Sequence, residues 1–222
     1  MRNHGLAGLA VAIPVLAAGL MAAAFPDPPS VATSAPTAKK ATAVLAGGCF
    51  WGMQGIFEHV KGVIDTEVGF AGGSAKTAQY ERVSEGDTGH AESIKITYDP
   101  ARIGYGQLLK IYFSVAHDPT TLNRQHNDVG TQYRSSIFYA DEDQKRIAEE
   151  YIKELNDRHV FRSAIVTKVV PLEGFYRAEE YHQHYLDQNP NQPYIAAVDI
   201  PLLENFKHTY PELYKKSTRG EE

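Results

Sequence analysis

The stretch from Ala43 to Trp51 constrains this chain more than any other. Ala43-Val44-Leu45-Ala46 is short, apolar and stopped by Gly47-Gly48, the pattern of a buried strand. Past the glycines, Phe50, Met53, Phe57 and Val60 recur at helical spacing. A strand that turns through two glycines into a helix puts Cys49, the only cysteine of the chain, near the helix N-terminus. The free N–H groups and positive dipole end there favour a thiolate, so the Cys49 pKa is expected below the free value of about 8.5. A lone cysteine is also commonly a small buried hydrophobe. Its position argues against that: the Gly-Gly turn lets backbone approach a ligand, and Phe50-Trp51 offers an apolar wall beside the sulfur.

The chain has 222 residues and a net charge of −5, with both signs scattered. No basic stripe marks a nucleic-acid partner, and none is expected. The first forty residues differ from the rest. Met1 to His4 is a short polar start, Gly5 to Ala24 carries no charge, and Ala22-Ala23-Ala24 supplies small residues suited to cleavage. Residues 1–24 therefore read as an export signal, and 25–42, rich in Pro, Ala, Ser and Thr, as a disordered linker. The expected location is periplasmic or secreted. An uncleaved membrane anchor competes, because the apolar run approaches spanning length; Pro14 and the Ala-rich end favour cleavage. A single thiol outside the cytoplasm cannot form an internal disulfide, so it is suspected of being reactive.

In chain order, Gly62 to Phe70 is expected as a second strand, and the polar run from Ala71 to Gly89 as a long functional loop. Ile94, Ile96 and Tyr98 alternate with Lys95 and Thr97, so Ser93 to Tyr98 is a half-buried strand. Parity puts Glu92 on the face of Ile94, aimed inward; the alternative is a frayed strand end in water. Gly104 to Ala116 follows a helical stripe, and the polar, aperiodic run from His117 to Arg134 resembles a site-lining loop. Ser135 to Tyr139 is a strand, Asp141 and Gln144 have capping-box spacing ahead of another helix, and Ala164 to Val170 is a strand ended by Pro171. Only a helical stretch from Ala178 to Asp187 is expected beyond, with 201–222 as a C-terminal tail. This order fits an α+β two-layer sandwich with a ferredoxin-like core and long loops.

Gly48-Cys49-Phe50-Trp51, Gly89-His90-Ala91-Glu92, His117-Asp118-Pro119-Thr120-Thr121 and Gly130-Thr131-Gln132-Tyr133-Arg134-Ser135 resemble, in that order, the motifs of peptide methionine sulfoxide reductase A. Tyr181-His182-Gln183 is similar to a further motif of that family. The resemblance runs from about Ala43 to Tyr194 and implies a reductase domain over 43–200. It implies reduction of the S epimer of methionine sulfoxide, free or in proteins and peptides, with no metal and no bound organic cofactor. Cys49 matches the family's nucleophile, Glu92 its acid, and Tyr80 and Tyr133 its hydroxyl donors. Asp128 matches a carboxylate of the same pocket, and Phe50 and Trp51 the wall that receives the substrate methyl group.

These residue types suit the chemistry. A sulfoxide oxygen leaves only when protonated or strongly hydrogen-bonded, so attack on sulfur needs an acid opposite the nucleophile. The product on Cys49 would be a sulfenic acid. Relatives commonly carry a recycling cysteine in a C-terminal tail; Leu202 to Glu222 has none, and Ser84 stands where some carry another. Internal disulfide recycling is thus out of reach, and the expected partner is an external thiol: thioredoxin, glutaredoxin or a small thiol. His126 also departs from the pattern, where glycine is expected. Rival readings are an exported thiol peroxidase, a binding module with an incidental cysteine, and a metal enzyme using the E-x-x-H spacing of Glu179 and His182. The last lacks the second segment such sites draw on.

Overall fold

The structure, a computed structural model, describes residues 25–29 and 39–216. The export-signal reading of residues 1–24 lies outside the described residues, as does the end of the chain after residue 216. Strand β1 (Ala41–Ala46) sends Ala43 and Leu45 into the main core, and Val44 and Ala46 into a small cluster with Ala71, Ala91 and Phe138 on the opposite face. Helix α1 (Phe50–Glu58) follows at once, then β2 (Val63–Ala71), the short helix α2 (Tyr80–Val83) and β3 (Ala91–Tyr98). Helix α3 (Tyr105–Ile111) continues into a π-helical turn, Tyr112–Ala116. A hairpin of β4 (Arg124–Gln125) and β5 (Asp128–Val129) precedes β6 (Ser136–Tyr139), α4 (Glu142–Asp157), β7 (Lys168–Pro171) and β8 (Phe175–Arg177). Helices α5 (Tyr185–Gln188) and α6 (Ile200–Thr209) close the chain.

The six-stranded sheet has the order β7-β6-β1-β3-β2-β8, antiparallel except for the β6–β7 pair. Its inner four strands, β6-β1-β3-β2, are the expected ferredoxin-like core: β3 lies between β1 and β2, which α1 connects. Chain-local signals set several boundaries. Asp141 caps α4 by accepting from the Gln144 N–H at 2.8 Å, and Gln144 Oε1 accepts from the Ala140 N–H at 3.0 Å. Among the described residues no helix is long and apolar enough to cross a membrane.

Three stretches of the frame depart from the sequence expectation, besides a fourth at the cavity, residues 178–187. The strand expected from Ala164 begins only at Lys168, because the Ile165 N–H goes to Asn156 Oδ1 (3.1 Å) and the Val166 N–H to the Pro119 carbonyl (2.8 Å). Of the expected linker 25–42, residues 25–29 are docked on the domain, and Ala41 and Thr42 already belong to β1. The Phe25 ring meets Phe161 edge-on at 5.7 Å, the Tyr151 hydroxyl donates to the Pro26 carbonyl at 3.0 Å, and Asp27 pairs with Lys110 at 2.8 Å. Three prolines in these five residues lower the entropy lost on docking.

The third departure is the expected tail after residue 200. Residues 200–209 form α6, which buries Leu203 and Phe206 and packs on α1; Tyr210, one turn further, is buried as well. The i, i+3, i+7 spacing of Leu203, Phe206 and Tyr210, after Pro201 in the first turn, is a helical signal carried by few residues. Phe206 has no exposed surface. Phe206→Ala should therefore destabilise the protein by about 3–5 kcal/mol in urea unfolding, the cost of emptying a buried aromatic position. A change under about 1 kcal/mol would mark this segment as peripheral after all.

Candidate active site

The turn between β1 and α1 is built around contacts that only glycine permits. Gly48 has φ +95°, and a Cβ there would lie 2.7 Å from the Gln125 side chain. Cys49 takes the N-cap position of α1, and the Trp51 N–H donates to its sulfur. The Phe50 N–H donates to Glu92 Oε2 at 3.1 Å. Two of the free N–H groups at the start of α1 are thus spent on the thiol and on Glu92. Glu92 lies two residues before Ile94, which pairs with Leu45, so it faces the point where β1 has already turned into its glycines. It is 3% exposed, which rules out a frayed strand end in water.

Cys49, Phe50, Trp51, Tyr80, Glu92, Asp128 and Tyr133 all line one cavity of about 190 Å³, together with Gln192 and Tyr194. Every site residue singled out from the sequence is in that wall. Tyr80 comes from α2, Asp128 from β5, and Tyr133 from a 3-10 turn, Thr131–Tyr133. Arg134 pins that turn by donating to the carbonyls of Gly89 (2.8 Å), His90 (2.9 Å) and Thr131 (2.9 Å). Gln125 ties the β4–β5 hairpin back to Asp118, accepting from its N–H at 3.0 Å and donating to its carbonyl at 2.6 Å. His117 is buried between the Tyr112 carbonyl (3.0 Å) and the Ser135 hydroxyl (2.7 Å), and burial lowers its pKa to about 4. A neutral His117 thus braces the end of β1, where the Tyr112 hydroxyl donates to the Ala46 carbonyl at 2.7 Å. The His117-Asp118-Pro119-Thr120-Thr121 run frames the site and does not line it.

The electrostatics correct one expectation. Burial raises the Cys49 pKa well above the ordinary thiol value, and the Glu92, Asp199 and Asp128 carboxylates push it the same way; only the Trp51 N–H opposes them. A helix N-terminus contributes about 0.3–1 kcal/mol, less than one pKa unit, whereas burial moves a group by up to 3–5 units. Burial wins, and Cys49 rests as a thiol. Burial also pushes Glu92 up to about 8, with Asp128 and Asp199 adding to the shift and the Phe50 N–H opposing it. Glu92 therefore carries a proton at neutral pH. Tyr80, Tyr133 and Tyr194 are raised chiefly by burial and stay protonated, as hydroxyl donors.

Four further residues enter the site from the C-terminal segment, where the sequence offered little signal. Tyr194 donates to Asp128 Oδ2 at 2.5 Å, and Gln192 lines the cavity beside it. Asp199, 2% exposed and raised by burial to about 7, approaches Gly52 so closely that a Cβ there would sit 2.4 Å from its Oδ1. His182 accepts from the Trp51 indole N–H at 3.2 Å. Its neighbour Gln183 explains part of the Tyr181-His182-Gln183 motif: its amide accepts from the Val68 N–H and donates to the Val68 carbonyl, both at 3.0 Å. The expected helix over Ala178 to Asp187 is broken instead into two irregular residues after β8, a 3-10 turn over Glu180–His182 and α5, with His184 left-handed at φ +57°.

The departures noted in the motifs also have structural places. The Ser84 hydroxyl donates to the Tyr80 carbonyl at 2.7 Å and closes α2. His126 adopts φ +50° in the β4–β5 turn, the conformation that makes glycine the expected residue there. Glu179 precedes and His182 ends a 3-10 turn, Glu180–His182, and among the described residues no three His, Cys, Asp or Glu side chains gather as a metal-binding group. A larger cleft of about 460 Å³ opens between residues 27–29, α3 and α4, but it holds no nucleophile.

The fold and the cavity define a one-cysteine α+β oxidoreductase whose thiol shares an aromatic-walled cavity with a protonated carboxyl and three phenols. The peptide methionine sulfoxide reductase family model matches residues 41–214, and the chain belongs to that family. It is 46% identical over 210 residues to peptide methionine sulfoxide reductase MsrA 2 of Synechocystis sp., covering 94% of this chain and 98% of that protein. It is 52% identical over 175 residues to the MsrA 2 of Mesorhizobium japonicum, covering 79% and 90%. Methionine sulfoxide reductase A of Corynebacterium diphtheriae superposes with a TM-score of 0.60 at 34% identity, covering 76% of this chain and 85% of that one. Mxr1 of Saccharomyces cerevisiae in its reduced form gives 0.64 at 35% identity, covering 71% and 90%. The protein is an enzyme that reduces methionine sulfoxide.

Proposed function

We propose that the chain reduces the S epimer of methionine sulfoxide, in peptides or free, by oxygen transfer to Cys49, and that an external thiol restores the enzyme. The observation that carries this reading is the single cavity holding Cys49, Glu92, Tyr80, Tyr133, Phe50 and Trp51. Its walls differ in kind: aromatic carbon for the methyl group, acidic O–H groups for the oxygen, a thiol for the sulfur. Three distinct contacts fix one hand of a tetrahedral sulfur, and the S hand is carried from the motif resemblance.

Both reacting acids hold their protons at rest, and the cycle balances from there. Glu92 gives its proton to the sulfoxide oxygen while the Cys49 proton passes to the Glu92 carboxylate, as the Cys49 sulfur bonds to the substrate sulfur. Tyr80 and Tyr133 donate to the oxygen as negative charge develops on it. The hydroxyl then moves to Cys49 as the sulfur–sulfur bond breaks, releasing methionine and leaving a sulfenic acid. The sulfoxide is reduced by two electrons and Cys49 oxidised by two. A foreign thiol attacks the sulfenic sulfur, expels water and forms a mixed disulfide; a second thiol releases Cys49.

With one cysteine in the chain, no internal disulfide can take up the sulfenic acid. One equivalent of sulfoxide without reductant should yield one methionine per chain and a dimedone adduct on Cys49. Mass spectrometry that found methionine released but Cys49 unoxidised would overturn the one-cysteine cycle. Dithiothreitol should sustain turnover, and comparison of the two sulfoxide epimers tests the proposed hand.

A further inference from the structure

The cavity wall holds one polar side chain that the catalytic cycle leaves idle. Cys49 takes the oxygen, Glu92 gives its proton, and Tyr80 and Tyr133 donate to the sulfoxide oxygen. The Tyr194 hydroxyl and Asp128 are committed to each other at 2.5 Å, and the Trp51 indole N–H donates to His182. That leaves Gln192 among the lining residues. Three of its polar groups are spent inside the fold: its N–H donates to the Asn189 carbonyl at 3.0 Å, its carbonyl accepts from the Ala196 N–H at 2.9 Å, and its Oε1 accepts from the Ile195 N–H at 2.9 Å. The last is an N-cap contact. Pro193 follows, and the helical run it opens continues through the π-helical turn Ile195–Asp199 into α6.

A backbone N–H must meet an oxygen, so the Ile195 contact settles which end of the Gln192 amide is which and leaves the NH2 as its free end. Among the described residues that Nε2 makes no hydrogen bond, and it is not sealed in the interior. Gln192 is half-buried between the exposed Asn191 and Pro193, which puts it at the mouth of the cavity. We propose that Gln192 reads the substrate's main chain: its NH2 donates to the carbonyl oxygen of the methionine sulfoxide residue while the sulfur lies against Cys49. The sulfoxide end goes innermost, so the main chain, a short run of single bonds away, comes to rest at the mouth. A carbonyl drawn out of water there needs a donor, and Gln192 carries the one side-chain donor of the wall that neither the fold nor the cycle uses.

This inference rests on the reading of the cavity as the sulfoxide site, and its consequence is selection of sulfoxides that carry a peptide carbonyl over simple alkyl sulfoxides. The carbonyl takes no part in the chemistry, so the contact is as strong before the reaction as during it. Losing it should raise the half-saturating concentration and leave the maximal rate. Two substrates, each as the same sulfur epimer, isolate the contact: N-acetyl-methionine sulfoxide N-methylamide, and N-[3-(methylsulfinyl)propyl]acetamide, the same molecule without its C-terminal amide. Gln192→Glu keeps an oxygen for the Ile195 N–H and puts a second oxygen where the NH2 was. Gln192→Ala removes both groups, and any disturbance from the missing cap falls on the two sulfoxides alike.

In single turnover, wild-type enzyme should half-saturate with the methylamide at about fivefold lower concentration than with the truncated sulfoxide, the worth of one neutral hydrogen bond. Gln192→Glu should raise half-saturation by the methylamide about tenfold and leave that of the truncated sulfoxide within about twofold. Gln192→Ala should bring the two substrates level. Equal half-saturation of the two sulfoxides in wild type would overturn the proposal. So would a folded Gln192→Glu enzyme that handles both as wild type does, or is impaired equally for both. If Gln192→Glu fails to fold, the wild-type ratio and Gln192→Ala decide. Wild-type enzyme that reduces neither sulfoxide would sink the catalytic reading and this inference with it, whereas reduction of both without the ratio sinks this inference alone.

Discussion

Cys49→Ser is expected to abolish sulfoxide reduction, lowering the single-turnover rate by roughly 10⁴-fold or more, the scale on which a lost nucleophile acts. Serine is a good N-cap residue, and its smaller oxygen can accept the Trp51 N–H that now reaches the sulfur, so the fold should be retained. The loss would then be chemical. An alkoxide is far less accessible at neutral pH than a thiolate, and an oxygen nucleophile cannot take the sulfoxide oxygen to form a sulfenic acid. Methionine production should be measured with circular dichroism as the fold control. Substantial activity in a folded Cys49→Ser protein would remove the nucleophile from this site.

Glu92→Gln is expected to slow the first chemical step by roughly 10²–10⁴-fold, the range for a lost general acid. The amide keeps an oxygen to accept from the Phe50 N–H, so the start of α1 should stay in place. Glu92 titrates near 4.5 when unfolded and about 8 when folded. The wild-type rate should therefore fall as pH rises through about 8, and that limb should vanish in Glu92→Gln. The same shift acts on stability with a definite sign. Between about pH 4.5 and 8 the folded protein binds more protons at Glu92 than the unfolded chain does, so this contribution to stability falls as pH rises through the window. Unfolding titrations of Glu92→Gln should lack that slope. A variant with wild-type single-turnover rate and pH profile would leave Glu92 as a buried polar residue without a catalytic part.

The amino-acid sequence by itself determined part of the cavity's lining and much of its local frame. Cys49 at a strand-to-helix turn, Glu92 on the inward parity of its strand and the Asp141 cap each follow from spacing within a few residues, and each is where the pattern puts it. The family resemblance supplied Tyr80, Tyr133 and Asp128, of which only Tyr133 lies within a quoted motif; they lie far apart in the chain and no local period encodes their convergence.

Tertiary structure alone decided the protonation state of Cys49 and the reach of the C-terminal segment. Local reasoning weighs the helix dipole, one short-range contribution; the pKa is set by burial together with carboxylates from β3, β5 and the turn before α6, which only the folded chain gathers. Residues 201–222 likewise read as a tail because the helical spacing there is carried by few residues. Leu203 and Phe206 nevertheless find the open side of α1, and Tyr194, Gln192 and Asp199 are carried to the cavity with them. A short amphipathic segment gains little by helix formation alone, and its stability comes from the surface it covers.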